Sequence, residues 1–584
     1  MPSQEIGLPI PNIPHAVSVT LPTWEATVGY EEGEDWVVSK MNSGYPRFFI
    51  HSSIQALCGK LEKKYGREGE RCMVYPSYKV AKRCREFIKR HTTNTEKFTV
   101  RVLQLSTPEP TNEDEKSMKI GITIGVVFFP RSEYHLAKNY WQHSGEGISS
   151  RMGEYVLKQL FENDDGINSG LKGNLKQEYQ ARQIQSRSPS ITASRAASVN
   201  GNGIDDVNRE FNSFIEQKYG RVLDLKFALE SKEALRRRIA GKIDNSTTRS
   251  DAIEKAKRGK HVDETDVYLF PSGMASIFYA HHALLNISQT PKKSVCFGFP
   301  YVDTLNILKK FGPGVHFLGL GDDDSLEDLE NQLKEGLEIM ALFCECPSNP
   351  LLKTPNLKKI RQLADEYNFA VVVDETVGNF INIHILPYAD MIASSLTKVF
   401  SGDSNVLAGS LILNPSSKIY NDLKKFFNEE FEDLFWAEDA LWLERNSRDF
   451  VERVHKIDAT SLKVAELLTN SPLIEKVYYP SVSDSKKYYD EIKNEDSGYG
   501  GLMSFLFKEP QHAVRFFNAV NLHKGPSLGT NFTLACPYAI LAHYQELDEI
   551  AQWGVDRNLI RISIGLEDPE QLLDVLQKSL DASI

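Results

Sequence analysis

A lysine flanked by small and polar residues is the first feature of this sequence that could carry chemistry. Lys398 lies in the stretch SSLTKVFSGDSNVLAG, just past the apolar segment ADMIASS, with Ser395 and Thr397 beside it. A lysine in a loop is ordinarily solvated. A lysine held in a pocket can act as a covalent catalyst, and neighbouring hydroxyl groups can bind an anion. The elements around it decide between these interpretations.

Polar residues also follow three other apolar, strand-like runs. The turn PSGM (271–274) follows VYLF and opens a helical segment, Asn349 follows IMALFCEC, and Asp374 ends FAVVVD. A helix N-terminus with a serine cap and a glycine binds phosphate through its free backbone N–H groups. Taken singly, these residues are equally typical of a cap, a turn and a strand end.

From about residue 206, such runs alternate with helical segments, which predicts a mainly parallel sheet with helices on both faces. Ligands of such sheets bind beyond the carboxyl ends of the strands, so we expect these polar groups to meet. Together they are the parts of a pyridoxal phosphate site. Lys398 would bind the cofactor covalently, Asp374 would keep the ring nitrogen protonated, and Asn349 would hydrogen-bond the ring hydroxyl. Ser395 and Thr397 would donate to the phosphate.

Changes in composition and hydrophobic pattern along the chain predict four parts. Residues 1–163 mix helical and strand-like segments and form an N-terminal α/β extension. Residues 164–205, rich in Ser, Gly, Asn and Arg, are predicted to be a mobile linker or loop. Residues 206–412 form the pyridoxal-phosphate-binding large domain, and residues 413–584 form a smaller C-terminal α+β domain.

The composition favours a globular protein of the cytoplasm or the nucleus. A net charge of −11 over 584 residues argues against a nucleic-acid surface. The seven cysteines show neither a paired framework nor CxxC zinc spacing, which is typical of a reducing compartment, and we expect no metal. The N-terminus has no signal-like apolar region, and no apolar run approaches ~20 residues, so we expect no membrane span.

With these motifs in this order, the chain closely resembles the Cys/Met-metabolism family of pyridoxal-phosphate enzymes. The likeness covers about residues 206–584 and rests on FPSGMASI, ECPSNPLLK, VVVDET, SSLTKVFSGDSNVLAG, PSLGT and LIRISIGLED. It implies a fold-type I transferase in which Gly273, Met274, Ser395 and Thr397 hold the cofactor phosphate.

The resemblance assigns further roles. Arg561 would clamp the substrate carboxylate with a bidentate geometry that guanidinium supplies well, and Ser527 would lie nearby. In EQKYGRVLD, Tyr219 and Arg221 would reach the phosphate of a neighbouring subunit. The resemblance therefore implies a homodimer or homotetramer with shared active sites.

One departure from the family pattern concerns the tyrosine that lies over the cofactor ring. In CFGFPY, Phe297 takes its place and Tyr301 follows closely. A phenylalanine stacks on a ring but has no hydroxyl for proton transfer. Phe297 is therefore predicted to bind the cofactor and Tyr301 to be catalytic together with Lys398, while which of the two aromatic residues stacks on the ring stays open.

The N-terminal segments LPTWEATVGYEEG, GYPRFF and WQHSGEGISSR look like the extension of fungal cystathionine γ-synthase-type proteins. This implies an enzyme of transsulfuration and methionine biosynthesis that replaces the acyloxy group of an O-acylhomoserine by cysteine. A γ-lyase, a sulfhydrylase and a non-catalytic homologue remain open. In GEGISSR, residues 149–151 form either an anion site or a loop and helix start, and we favour the second.

Overall fold

The computed structural model describes residues 5–46, 48–94, 98–116, 118–161, 224–241, 258 and 262–584. The predicted linker 164–205 and the site candidates Tyr219 and Arg221 lie outside these residues. Within the described ranges, no helix is long and apolar enough to cross a membrane.

The N-terminal part forms an antiparallel sheet with helices on both faces. Strands β1 (Glu70–Tyr75), β2 (Arg101–Ser106) and β3 (Thr123–Pro130) pair in the order β1-β3-β2. Alternate residues of the central strand β3 point to opposite faces, so that Val126 packs against helices α3 and α7 and Val127 packs against α4 and α6. The helices are α1 (Trp24–Glu32), α2 (Asp35–Val38), α3 (Ser52–Tyr65), α4 (Tyr78–His91), α5 (Glu113–Lys116), α6 (Tyr134–Ser144) and α7 (Ser150–Phe161).

The large domain contains a seven-stranded sheet in the order β4-β10-β9-β8-β7-β5-β6. The last five strands of this order are parallel, and β10 pairs antiparallel with both β4 and β9. This confirms the predicted mainly parallel sheet. The strands are β4 (Val267–Phe270), β5 (Ser294–Phe297), β6 (Val315–Leu318), β7 (Ala341–Glu345), β8 (Ala370–Asp374), β9 (Met391–Ser395) and β10 (Gly409–Leu413).

Helices cover both faces of this sheet, so its strands are apolar throughout. Val371 and Val372 of β8 point into two separate cores, one formed with α8, α11, α12 and α15 and the other with α9, α10 and α14. These helices are α8 (Ala228–Ile239), α9 (Gly273–Ile287), α10 (Val302–Lys310), α11 (Asp323–Lys334), α12 (Leu357–Tyr367), α13 (Asn379–Asn382), α14 (Tyr420–Glu430) and α15 (Ala437–Asn446).

The C-terminal part is a smaller α+β unit with a five-stranded sheet in the order β11-β12-β15-β14-β13. Helices α14 and α15, which follow residue 413 in the chain, place Phe427 and Leu443 in the cores of the large domain, and the division at this residue stays a prediction. Its elements are α16 (Phe450–Asn470), β11 (Ile474–Tyr478), α17 (Lys486–Ile492), β12 (Leu502–Phe507), α18 (Pro510–Ala519), β13 (His523–Lys524), β14 (Leu534–Pro537), α19 (Tyr538–His543), α20 (Leu547–Ala551), β15 (Ile560–Ser563) and α21 (Pro569–Asp581).

A buried ion pair joins the N-terminal part to the large domain. Arg151 of α7 donates through Nη1 to Oδ1 of Asp439 in α15 at 2.9 Å. These two residues are only 4% and 2% exposed, and the guanidinium also lies 5.0 Å from the ring centroid of Trp442. Because either charge would be costly to bury alone, this contact fixes the position of α7.

The variant Arg151→Met should lower the free energy of unfolding by about 3–5 kcal/mol, because it leaves the Asp439 carboxylate buried without its cation. The double variant Arg151→Met/Asp439→Leu should recover much of the loss. Urea denaturation of the cofactor-free protein measures both. Lys456→Met, which breaks an exposed pair with Glu452, is the control and should cost less than about 1 kcal/mol. A single variant at Arg151 as stable as the wild type would contradict the inference.

Candidate active site

Lys398 is held in a pocket between parts of the chain that are distant in sequence. It follows the end of β9 and is only 8% exposed. Its Nζ donates to the hydroxyl of Tyr45 at 2.9 Å and to the hydroxyl of Ser527 at 3.2 Å. Nζ also lies 4.9 Å from the centroid of the Tyr45 ring. This lysine is therefore not a solvated loop residue.

One cavity brings most of the predicted residues together around this lysine. The predicted residues that line it are Gly273, Met274, Tyr301, Asn349, Asp374, Ser395, Thr397, Lys398 and Arg561. Ser527 contacts Lys398 directly. Phe297 is not among the lining residues, because it ends β5 and packs in the core of the large domain. Of the two aromatic candidates, it is Tyr301 that lies at this cavity.

The turn 271–274, which is predicted to bind phosphate and is called the phosphate turn below, lies against the end of strand β9, which precedes Lys398. Helix α9 begins at Gly273, and the hydroxyl of Ser272 caps it by accepting from Ala275 N at 3.1 Å. A Cβ atom on Gly273 would lie 2.6 Å from Cβ of Ser395. Only a glycine therefore allows the helix N-terminus to approach β9 this closely. The hydroxyl of Thr397 is engaged by the backbone of Ala408, from which it accepts at 3.0 Å.

Arg561 is held with its guanidinium at the cavity wall. Its Nη2 donates to the carbonyl oxygens of Pro526 and Ser527 at 2.9 Å each, and its Nη1 donates to Oδ1 of Asn349 at 3.2 Å. The guanidinium also lies 5.1 Å from the ring centroid of Tyr538. These contacts set the orientation of the charged group before any substrate is bound.

The carboxylates of Asp374 and Glu345 lie side by side because β7 and β8 end in register. Desolvation raises the pKa of Asp374 to about 6. Desolvation, together with the charge of Asp374, raises the pKa of Glu345 to about 8. Glu345 accepts from the backbone N–H groups of Tyr301 and Asn349, so it positions two residues of the cavity.

Two residues of this site were missed from the sequence. Glu345 stands in the quoted motif ECPSNP, and its signal was an acidic residue at a strand end next to that of Asp374. Tyr45 stands in the quoted segment GYPRFF, but nothing in the sequence indicates that it contacts a lysine 353 positions away.

The cavity fits pyridoxal phosphate. Asp374 accepts from Thr376 N at 2.8 Å and has no cationic side chain paired with it in the described part of the chain, which suits a protonated ring nitrogen. The glycine-containing start of α9 and the hydroxyl of Ser395 offer donors for a phosphate. Lys398 lines the same cavity with an amine, the group that a pyridoxal phosphate aldehyde binds.

The variant Glu345→Gln should flatten the pH dependence of stability in the cofactor-free protein. With its pKa raised from 4.5 to about 8, Glu345 holds a proton in the folded state that it has lost in the unfolded state. Stability should therefore fall as the pH rises between these values, by roughly 1.4 kcal/mol per pH unit for one proton. A glutamine removes this proton exchange.

Urea denaturation between these pH values measures the slope. Glu338→Gln, an exposed residue paired with Lys292, is the matched control and should keep the wild-type slope. An unchanged slope in Glu345→Gln would refute the assignment of the proton to Glu345.

Two segments of the chain match known protein families. Residues 248–581 match the family described as Cys/Met metabolism PLP-dependent enzyme. Residues 53–149 match the fungal trans-sulfuration enzyme N-terminal domain.

Two of the similar proteins are cystathionine gamma-synthases. The chain is 46% identical over 666 residues to a cystathionine gamma-synthase of Saccharomyces cerevisiae, covering 100% of both chains. It is 43% identical over 612 residues to a cystathionine gamma-synthase of Neurospora crassa, covering 99% of this chain and 98% of that one. Among solved structures, cystathionine gamma synthase from Xanthomonas oryzae pv. oryzae is 25% identical with a TM-score of 0.48, covering 54% of this chain and 81% of that chain.

Proposed function

The chain belongs to the Cys/Met-metabolism family of pyridoxal-phosphate-dependent enzymes, and from this premise we propose that it acts as a cystathionine γ-synthase. The observation that carries the proposal is the full-length likeness to cystathionine gamma-synthases, which includes the N-terminal part as well as the large domain. In the proposed reaction, the C–O bond at Cγ of an O-acylhomoserine is exchanged for a C–S bond to cysteine, and the acyl group leaves as a carboxylate.

When bound, pyridoxal phosphate supplies an electron sink that allows protons to leave the carbon atoms near the substrate amino group. Lys398 would hold the cofactor and, once freed, would carry protons on Nζ. A desolvated lysine amine is suited to this task. Asp374 would pair with the ring nitrogen, and Asn349 would hydrogen-bond the ring oxygen.

The remaining predicted residues would anchor the two ends of the bound molecules. Gly273, Met274, Ser395 and Thr397 would hold the phosphate. Arg561 would bind the substrate carboxylate, since its guanidinium already lies at the cavity wall. Tyr301 would lie beside the cofactor and contribute to proton transfer.

Two parts of the proposal concern the assembly and its location. We propose a homodimer or homotetramer in which Tyr219 and Arg221 reach the phosphate of the neighbouring subunit. We also propose that the enzyme works in the cytoplasm on small amino-acid substrates.

Product analysis tests the function. The purified protein is incubated with pyridoxal phosphate and O-acetyl- or O-succinylhomoserine, either alone, with cysteine or with sulfide, and products are identified by mass spectrometry. Cystathionine that appears only with cysteine is the expected result, and the faster donor identifies the acyl group. Oxobutanoate alone would indicate an eliminating enzyme. Product formed from sulfide in preference to cysteine would indicate a sulfhydrylase. No product with bound cofactor would indicate a different substrate or a non-catalytic role.

The variant Arg561→Lys should raise KM for the acylhomoserine roughly tenfold to a hundredfold, because lysine cannot form the bidentate pair with a carboxylate. The effect on kcat should be smaller, since binding of the carboxylate is common to the ground state and the transition state. Steady-state kinetics measure both constants. Arg557→Lys, an exposed arginine four residues away, is the control, and equal KM values in the two variants would exclude the proposed clamp.

A further inference from the structure

The contact between Tyr45 and Lys398 places the N-terminal part inside the active site. Tyr45 precedes both segments that match known family domains, 53–149 and 248–581. Its hydroxyl nevertheless lies 2.9 Å from Nζ of Lys398, and its ring lies alongside the same atom. From this geometry we infer that Tyr45 is a catalytic residue that seats the freed amine of Lys398 during turnover, an inference that rests on the proposed function.

The chain before Tyr45 is packed firmly enough to hold it there. Val17 N donates to the carbonyl of Ser404, a residue shortly after Lys398 in the sequence, at 2.8 Å. Leu21 N donates to the carbonyl of Lys524 at 3.0 Å, and Nζ of Lys524 donates back to the carbonyl of Pro22 at 2.9 Å. The N-terminal segment is thus bound to both the large domain and the C-terminal part.

The turn that carries Tyr45 is also constrained. The backbone N–H groups of Phe48 and Phe49 donate to the carbonyl of Tyr45 at 2.9 and 3.0 Å. A Cβ atom on the preceding Gly44 would lie 2.3 Å from Cβ of Phe49, so glycine is required for the close turn. The backbone that carries the Tyr45 side chain is therefore constrained on both sides of this residue.

A second contact joins the N-terminal part to the phosphate turn. The hydroxyl of Ser272, which caps α9, donates to the carbonyl of Gly145 at 2.9 Å. Gly145 has a φ of +65°, and a Cβ atom there would lie 2.4 Å from the Ser272 hydroxyl oxygen. The N-terminal part thus contacts the cavity at both the lysine and the phosphate turn.

The chemistry follows from the hydrogen bonds of Nζ. Lys398 would hold the cofactor until a substrate takes its place, and its freed Nζ would then accept the proton that leaves Cα of the substrate and become an ammonium. Two of its three N–H groups would donate to the hydroxyl oxygens of Tyr45 and Ser527. The third would carry the proton that is later returned to the substrate. Without Tyr45, an ammonium on the Lys398 side chain, which is only 8% exposed, would lose one of its two hydrogen-bond acceptors, and this disfavours the protonated form.

The variant Tyr45→Phe tests this inference and keeps the aromatic ring. Cofactor-free protein is mixed with pyridoxal phosphate over a range of pH, and capture is followed by the visible absorbance of the bound cofactor. Only the neutral amine can capture the aldehyde. Loss of the Tyr45 hydroxyl should therefore lower the pH of half-maximal capture by about one unit, the effect of one hydrogen bond to a charged group. Tyr45→Phe/Ser527→Ala should lower it further.

Tyr78→Phe is the matched control, because Tyr78 is an exposed tyrosine at the start of α4 in the same part of the chain. Its pH of half-maximal cofactor capture, which is called the capture midpoint below, should equal that of the wild type. For cystathionine formation, Tyr45→Phe should lower kcat about tenfold or more with less than about a threefold change in KM.

The two readouts separate the two claims. A shifted capture midpoint without cystathionine formation by the wild type would support the role of Tyr45 at Lys398 and reject the proposed function. A capture midpoint in Tyr45→Phe equal to or above that of the wild type and of Tyr78→Phe would overturn the inference, whatever the activity.

Discussion

The site depends on the requirement that the polar groups around the cavity, the Lys398 amine and the carboxyl groups of Glu345 and Asp374, each find hydrogen-bond partners within the protein. Charged groups removed from water are costly unless they are paired or hydrogen-bonded. Lys398 donates to two hydroxyl oxygens. Glu345, whose pKa is raised to about 8 by desolvation, avoids the cost by holding a proton, and it accepts from two backbone N–H groups. Asp374 remains without a cation in the described residues, which is the condition that a protonated cofactor nitrogen would satisfy.

The parallel sheet brings these polar groups to one place. Strands β7, β8 and β9 are neighbours that run in the same direction, so Glu345, Asp374 and the lysine loop all emerge at one edge. The C-terminal part adds Arg561 and Ser527, and the N-terminal part adds Tyr45. The cavity therefore takes residues from the N-terminal part, the large domain and the C-terminal part, and the N-terminal extension is a component of the site.

Much of this could be predicted because it is encoded locally. Apolar runs followed by polar residues located β4, β7, β8 and β9, and their parallel order placed Asp374, Asn349 and Lys398 together. The short strands β6 and β10 were not predicted. Strand β10 runs antiparallel beside β9, and a short apolar run does not reveal its direction.

The residues that the sequence analysis misplaced or overlooked have one thing in common. Their positions depend on contacts between residues that lie far apart in the sequence. Phe297 was assigned to the cofactor from a motif position, whereas strand pairing places it in the core and leaves Tyr301, four residues later, at the cavity. The Tyr45 contact depends on how the N-terminal segment packs on two other domains, which no local pattern encodes. Glu345 was visible at a strand end, but its partners become clear only from the register of β7 and β8.

Identifying the lysine that carries the cofactor is the most direct test of the site. The holoenzyme is treated with sodium borohydride, which fixes the cofactor irreversibly to the lysine that binds it, and peptide mass spectrometry then locates the modified residue. We expect a single modified lysine, Lys398, and no fixation in Lys398→Ala. Modification of another lysine in the wild type, or undiminished fixation in the variant, would show that Lys398 does not bind the cofactor.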